Sequence, residues 1–226
     1  MNTNIPLAGP VHLAIVAAVP ALAAALSLVA RRRPSTVAPI RYALGAFLLV
    51  NEAVWYVYQI AHGYLHFPAE LPLQLCDFAV WLAAISALTR SAWCFDLVWY
   101  WGLSGAGMAI LTPDLWTPFP SYLAIAFFLS HGGVVATTLF LAWSGQARPR
   151  RGSLWRAFFS LNVLAAAIGV FDAIFKTNYL YLRQKPANAS MLDLLGPWPV
   201  YIVLAEPLVL LLFWILWLPF RRRDRR

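Results

Sequence analysis

Cys76 and His131 are the residues of this chain whose types suit covalent chemistry. A thiolate attacks a carbonyl carbon and a neighbouring imidazole moves the proton, which is the usual pair for acyl transfer. Cys76 follows Leu71-Pro-Leu-Gln-Leu, and Pro72 suits the first turn of a helix, where its missing N–H costs little. The cysteine then lies in the positive end of a helix dipole, which favours thiolate. The plain alternative is that a free cysteine is a small, buried apolar residue. His131 stands in Leu129-Ser-His-Gly-Gly, where Gly132 and Gly133 let a backbone or a substrate come close. Its plain alternative is an interhelical strut. His62 and His66, spaced i, i+4, face one way if their helix continues that far and then suit zinc. Phe67-Pro68 ends the helix just there, which makes them interfacial histidines.

These residues sit in a strongly apolar chain. Of its 226 residues 62% are hydrophobic and 12% charged, with a mean hydropathy of +0.68. A soluble domain of this size cannot hide so much apolar surface, so lipid is the solvent for much of it. Seven stretches are long and apolar enough to cross a bilayer: about 9–30, 41–63, 71–89, 92–112, 121–143, 155–176 and 198–220. The expected fold is all-α, one transmembrane domain of seven helices over 1–226, with no segment left for a soluble domain. The net charge of +8 comes from short basic runs at the ends of apolar stretches. It therefore reports topology, and nucleic acid is not an expected partner.

The basic residues also orient the bundle. With the N-terminus outside and the C-terminus in the cytoplasm, the inner side collects Arg31, Arg32, Arg33 and Arg41, then Arg90, then Arg148, Arg150, Arg151 and Arg156, and then the arginines of the tail. Only Lys176, Arg183 and Lys185 remain outside. The first helix is followed, not preceded, by its basic residues, the wrong polarity for a signal peptide. Cys76 and Cys94 fall near opposite faces, too far apart for a disulfide.

Ionisable groups inside membrane helices cost several kcal/mol and are functional candidates by default. Here they are Glu52, Asp77, Asp96, Asp172, Glu206 and His131. Near the outer ends lie His62, His66, Glu70, Asp114 and Asn178. In the N-out topology all the intramembrane groups but Asp96 fall in the outer half, with His131 roughly 15 Å in at 1.5 Å per residue. A polar cavity opening to lipid is expected there. Each carboxylate alone also serves as packing glue between helices. Gly102/Ala106 and Gly105/Ala109 form small-residue pairs for close packing, and Pro20 and Pro207 are expected to kink the first and last helices. Trp116, Tyr122, Trp143 and Trp198 are interfacial anchors.

Six segments together resemble the YwaF-type integral membrane family: Leu71-Pro-Leu-Gln-Leu-Cys-Asp, Tyr100-Trp-Gly-Leu, Leu111-Thr-Pro-Asp-Leu, Phe128-Leu-Ser-His-Gly, Thr177-Asn-Tyr-Leu-Tyr-Leu and Leu194-Leu-Gly-Pro-Trp-Pro. That family is similar to the eukaryotic transmembrane protein 164 family, phospholipid acyltransferases with a cysteine active centre. The resemblance implies a lipid acyltransferase with Cys76 as nucleophile and His131 as general base. Asp77, Asp114 and Asn178 then orient the histidine or hold the headgroup. Glu52, Asp172 and Glu206 complete the candidate substrate-binding set. The expected partner is a membrane phospholipid in the cell membrane, and neither a metal nor a cofactor is called for. Two rival readings use the same residues. One is a transporter or channel built on Glu52, Asp172 and Glu206. The other is a zinc hydrolase built on His62, His66, His131 and a carboxylate.

Overall fold

The computed structural model describes residues 9–113, 115, 117–186 and 191–221. Asp114 and Trp116 lie outside the described residues, as does most of the basic tail. Seven helices follow one another: α1 (Pro10–Arg32), α2 (Val37–Ala61), α3 (Leu75–Thr89), α4 (Ala92–Leu111), α5 (Tyr122–Trp143), α6 (Ser153–Phe175) and α7 (Val200–Trp217). Six of them are long and apolar enough to cross a membrane, and α3 is a shorter apolar helix of 15 residues. The chain is an all-α, multi-pass membrane bundle. Pro20 and Pro207 are both accommodated inside unbroken helices.

The connections differ at the two ends. Residues 33–36, 90–91 and 144–152 make short turns at the end that carries the arginines. The connections from α2 to α3, from α4 to α5 and from α6 to α7 are longer and lie at the other, here called the loop end. Short turns force consecutive helices to run antiparallel. α3, α4 and α5 pack on one another in the middle; α1 and α2 cover one side and α6 and α7 the other. The core is built from small residues of α3 (Ala79, Ala83, Ala84, Ala87) against large ones of α4 (Phe95, Trp99, Tyr100, Trp101). The outward faces of α1, α6 and α7 remain apolar and exposed, as lipid-facing surfaces must be.

Two local features position everything else. α3 spans only about 22 Å at 1.5 Å per residue, less than the roughly 30 Å of a hydrocarbon core. It begins at Leu75, four residues later than the hydropathy suggests. The delay has a local cause: the Gln74 N–H donates to Asp77 Oδ2 at 2.8 Å, which caps the helix there. At its other end, buried Arg41 donates to the carbonyls of Ala87 (2.5 Å) and Leu88 (2.9 Å), satisfying the last turn and its negative dipole. The second feature is in α4, where Gly102–Ala106 forms a π-helical turn between two α-helical stretches. Such turns are rare and occur mostly at functional sites.

Candidate functional site

Cys76 is the second residue of α3 and is a free, half-buried thiol. Its first-turn position leaves nearby backbone N–H groups without an intrahelical acceptor, at the positive end of the helix. The helix start rests on the π-turn of α4: a Cβ on Gly105 would lie 3.4 Å from Leu75 Cδ2. The same turn meets α5, where a Cβ on Gly102 would lie 2.9 Å from Val134 Cγ1. Moving three residues toward the loop end leads from Gly102 to Gly105 on α4 and from Val134 to His131 on α5. The α5 step rises by about 4.5 Å, and the α4 step, which lies inside the π-turn, by less. Cys76, adjacent to Leu75, and His131 therefore lie within about a helical turn of one level, on two helices that pack directly. Among the described residues no hydrogen bond joins the two side chains.

The His131 ring is held by its own helix. Nδ1 lies 2.8 Å from the Phe127 carbonyl oxygen, and the ring packs on Phe127 with centroids 4.2 Å apart. A carbonyl only accepts, so Nδ1 carries the proton and Nε2 keeps its lone pair. That is the tautomer a proton acceptor needs. Gly132 and Gly133 serve close helix packing, since a Cβ on them would meet Val19 of α1 (3.1 Å) and Leu48 and Phe47 of α2 (2.9 Å each).

Carboxyls gather around the start of α3. Glu52 on α2 is 4% exposed, is hydrogen-bonded by Tyr56, and lies within electrostatic reach of Asp77. Its Oε1 has no partner. Asp172, near the end of α6, is fully buried. Its Oδ1 accepts from Thr177 Oγ1 (2.6 Å) and from the Tyr179 N–H (3.1 Å), while Oδ2 has no partner.

Tyr179 links these parts. Its hydroxyl donates to the Pro68 carbonyl (2.8 Å) and accepts from the Leu71 N–H (2.7 Å). The next residue, Leu180, donates its N–H to Gln74 Oε1 at 3.1 Å. Burial, and then the nearby Glu70, Asp172 and Asp77, push the Tyr179 phenol above its usual value, so it stays protonated. Leu180 and Tyr181 hold left-handed backbone angles (φ 53° and 55°), strain that only over-determined surroundings sustain. Trp198 Nε1 donates to the Leu182 carbonyl at 3.0 Å, and the Tyr201 hydroxyl donates to that of Tyr181. The stretches around Cys76, Thr177–Leu182 and Trp198, distant in sequence, are thus bonded into one cap over the start of α3.

The remaining candidates sit elsewhere. Asn178 folds its own loop, with Oδ1 accepting from the N–H groups of Arg183 (2.9 Å) and Gln184 (3.0 Å). Glu206 on α7 accepts from Asn162 Nδ2 of α6 at 3.1 Å. His62 is exposed, donates from Nδ1 to the Tyr58 carbonyl (2.9 Å) and stacks on the Tyr58 ring at 4.0 Å. His66 is exposed in the loop that follows. Among the described residues no three His, Cys, Asp or Glu side chains gather as a metal site requires. Asp96 is fully buried at the arginine-rich end, bound to Arg150 (2.7 Å) and Arg156 (2.9 Å).

Sequence reasoning passed over several of the groups that build the site. Tyr56, Gln74 and Tyr179 are among them, because tyrosines near helix ends ordinarily serve as interfacial anchors and an uncharged glutamine carries no topology signal. Their signal was proximity in sequence to the carboxylates they serve, four residues for Tyr56 and Glu52. His12 was also overlooked: it is 3% exposed, with Nε2 2.9 Å from the Ile110 carbonyl oxygen of α4.

A family model described as the TMEM164 family matches residues 7–217. An uncharacterized protein of Treponema pallidum (strain Nichols) is 30% identical over 152 residues, which is 67% of this chain and 63% of that protein. The chain thus spans less than two thirds of that relative's length. No solved structure matches.

Proposed function

The chain belongs to the TMEM164 family, and from that premise we propose that it is a lipid acyltransferase of the cell membrane, with its N-terminus outside, working through Cys76 and His131. The observation that carries the reading is the placement of Cys76 and His131 within about a helical turn of one level on packed helices, with the histidine held as the Nε2 base.

The reaction runs in two balanced halves. His131 Nε2 takes the thiol proton as Cys76 Sγ attacks the ester carbonyl of a phospholipid. The tetrahedral oxyanion is met by backbone N–H groups of the first turn of α3, aimed at it by the helix. The C–O bond breaks, the lysophospholipid leaves with the proton from Nε2, and the acyl chain stays on sulfur as a thioester. The hydroxyl of an acceptor lysolipid then gives its proton to Nε2 and attacks the thioester. The new ester forms, and the thiolate leaves and recovers the proton. No resting thiolate is required.

The cap formed by Pro68–Gln74, Thr177–Leu182 and Trp198 is the wall against which the headgroup rests. Glu52 and Asp77 shape its polar floor, and Asp172 and Tyr179 hold the cap in place. Asn178 lies on a loop of the same end, and it and Asp114, which is outside the described residues, are the further candidates for contact with the headgroup.

The test is acyl exchange between a phospholipid and a labelled lysophospholipid on the purified protein, read by mass spectrometry. Wild type is expected to exchange, and Cys76→Ala to lose exchange while unfolding at the wild-type temperature. Exchange that persists in the variant removes Cys76 from the mechanism.

A further inference from the structure

At the arginine-rich end, far from Cys76, a groove of about 480 Å³ opens between the start of α6 and the last turns of α7. Arg151, Leu154, Trp155, Leu210, Trp214 and Trp217 line it. We infer that this groove holds an anionic phospholipid, with the phosphodiester on Arg151 and the acyl chains on the tryptophans and the faces below them.

Charge is the first argument. Among the described residues Asp96 is the acid of this region, and it is sealed inside, where it is bound by Arg150 and Arg156. Arg151 is exposed and makes no ion pair among the described residues. Arg148, also exposed, stands in the same turn. Among the described residues the mouth of the groove is thus positive with no acid on the surface to answer it, and each arginine near a membrane surface attracts acidic lipid. The amino end of α6 opens at the same place: its N-cap is Gly152, which has no side chain to close the first turn.

Shape and polarity make the second argument. Trp155 is 55% exposed and Trp214 45% exposed, flanking the groove from its two helices. Below Trp155, Phe159 (61% exposed) and Val163 (71% exposed) continue the same α6 face at four-residue spacing. An amphipathic ligand with a negative head and long apolar tails matches that order of chemistry. A soluble anion leaves the tryptophans and the stripe unused, and a neutral lipid leaves Arg151 unanswered.

The test is native mass spectrometry of the full chain in detergent, titrated with phosphatidylglycerol or with phosphatidylcholine of the same chains. Wild type is expected to retain phosphatidylglycerol preferentially. Arg151→Gln is expected to lower that retention about fivefold, the share of one interfacial arginine, and Trp155→Ala to lower retention of both lipids. Arg33→Gln, an exposed arginine of the same end but outside the groove, is expected to change nothing. Equal retention of the two lipids by wild type overturns the inference. So does an equal loss in Arg151→Gln and Arg33→Gln, which would show general surface attraction and no site. Thermal unfolding at the wild-type midpoint confirms that both groove variants are folded; the more conservative Trp155→Phe replaces Trp155→Ala if that one is not.

Discussion

The two ends of this bundle treat buried carboxylates in opposite ways. At the arginine-rich end Asp96 is fully buried, and both of its oxygens are spoken for: Oδ1 accepts the Arg150 N–H at 2.9 Å, and Oδ2 accepts from Arg150 Nε and from Arg156 Nη2. Around it the polar tips of one turn of α4 are pinned to neighbouring helices. Tyr100 bonds Ser153 (3.0 Å), Trp101 donates to the Ala157 carbonyl (3.0 Å), and Trp99 donates to that of Leu216 (3.1 Å). At the loop end Glu52 and Asp172 are also buried, yet each keeps an oxygen with no partner among the described residues. A buried carboxylate with both oxygens satisfied fixes helix positions, although Arg156 Nε and Arg41 Nε at that end have no partner among the described residues, whereas an unsatisfied carboxylate holds free energy in reserve. The first end is a clamp, and the second is where a ligand has something to gain.

Substitutions sharpen that contrast. The largest effect is expected at the clamp: Asp96→Ala leaves two arginines facing a vacated site and costs about 3–5 kcal/mol, the usual penalty for breaking a buried ion pair. A marked fall in the thermal unfolding midpoint in detergent checks it, and an unchanged midpoint would break the comparison at its stronger half. Next comes the cap. Tyr179→Phe strands the Leu71 N–H and the Pro68 carbonyl, at a cost of about 1–3 kcal/mol. Acyl exchange should fall further than unfolding alone explains, since the start of α3 loses its tether. The smallest effect on stability is expected at Glu52→Gln, which replaces an under-satisfied carboxyl with a neutral group of the same shape. Its stability should change by less than the roughly 1–3 kcal/mol expected when a buried partner is left unpaired, while exchange changes. A large loss of stability there would make Glu52 a structural strut like Asp96.

Much of this arrangement was legible in the sequence, and the illegible parts have physical causes. Hydropathy finds all seven helices because lipid exposure demands long apolar runs. It misplaces the start of α3 because Leu71 and Leu73 extend the apolar run beyond the helix, and the boundary is set locally by the Gln74 N–H bonding Asp77. Gly102 and Gly105 were readable as sites of close packing, which they are, but not as a π-turn, because the extra backbone residue depends on the neighbours α3 and α5. Arg41 was counted among the arginines of a loop and is instead 4% exposed, capping α3; a charge tally carries no information on side-chain direction. The convergence of the Cys76 segment with Thr177–Leu182 across more than a hundred residues is tertiary, and only the shared resemblance of those segments pointed to it.

The central claim is that Cys76 carries the acyl chain. Its most direct measurement withholds the acceptor: the purified protein is incubated with phospholipid alone, digested, and the peptide containing Cys76 weighed. An added acyl mass on Cys76, removed by neutral hydroxylamine as a thioester is and absent from Cys76→Ala, is the expected result. Active protein in which Cys76 stays unmodified, or in which the acyl group sits on another residue, would contradict it.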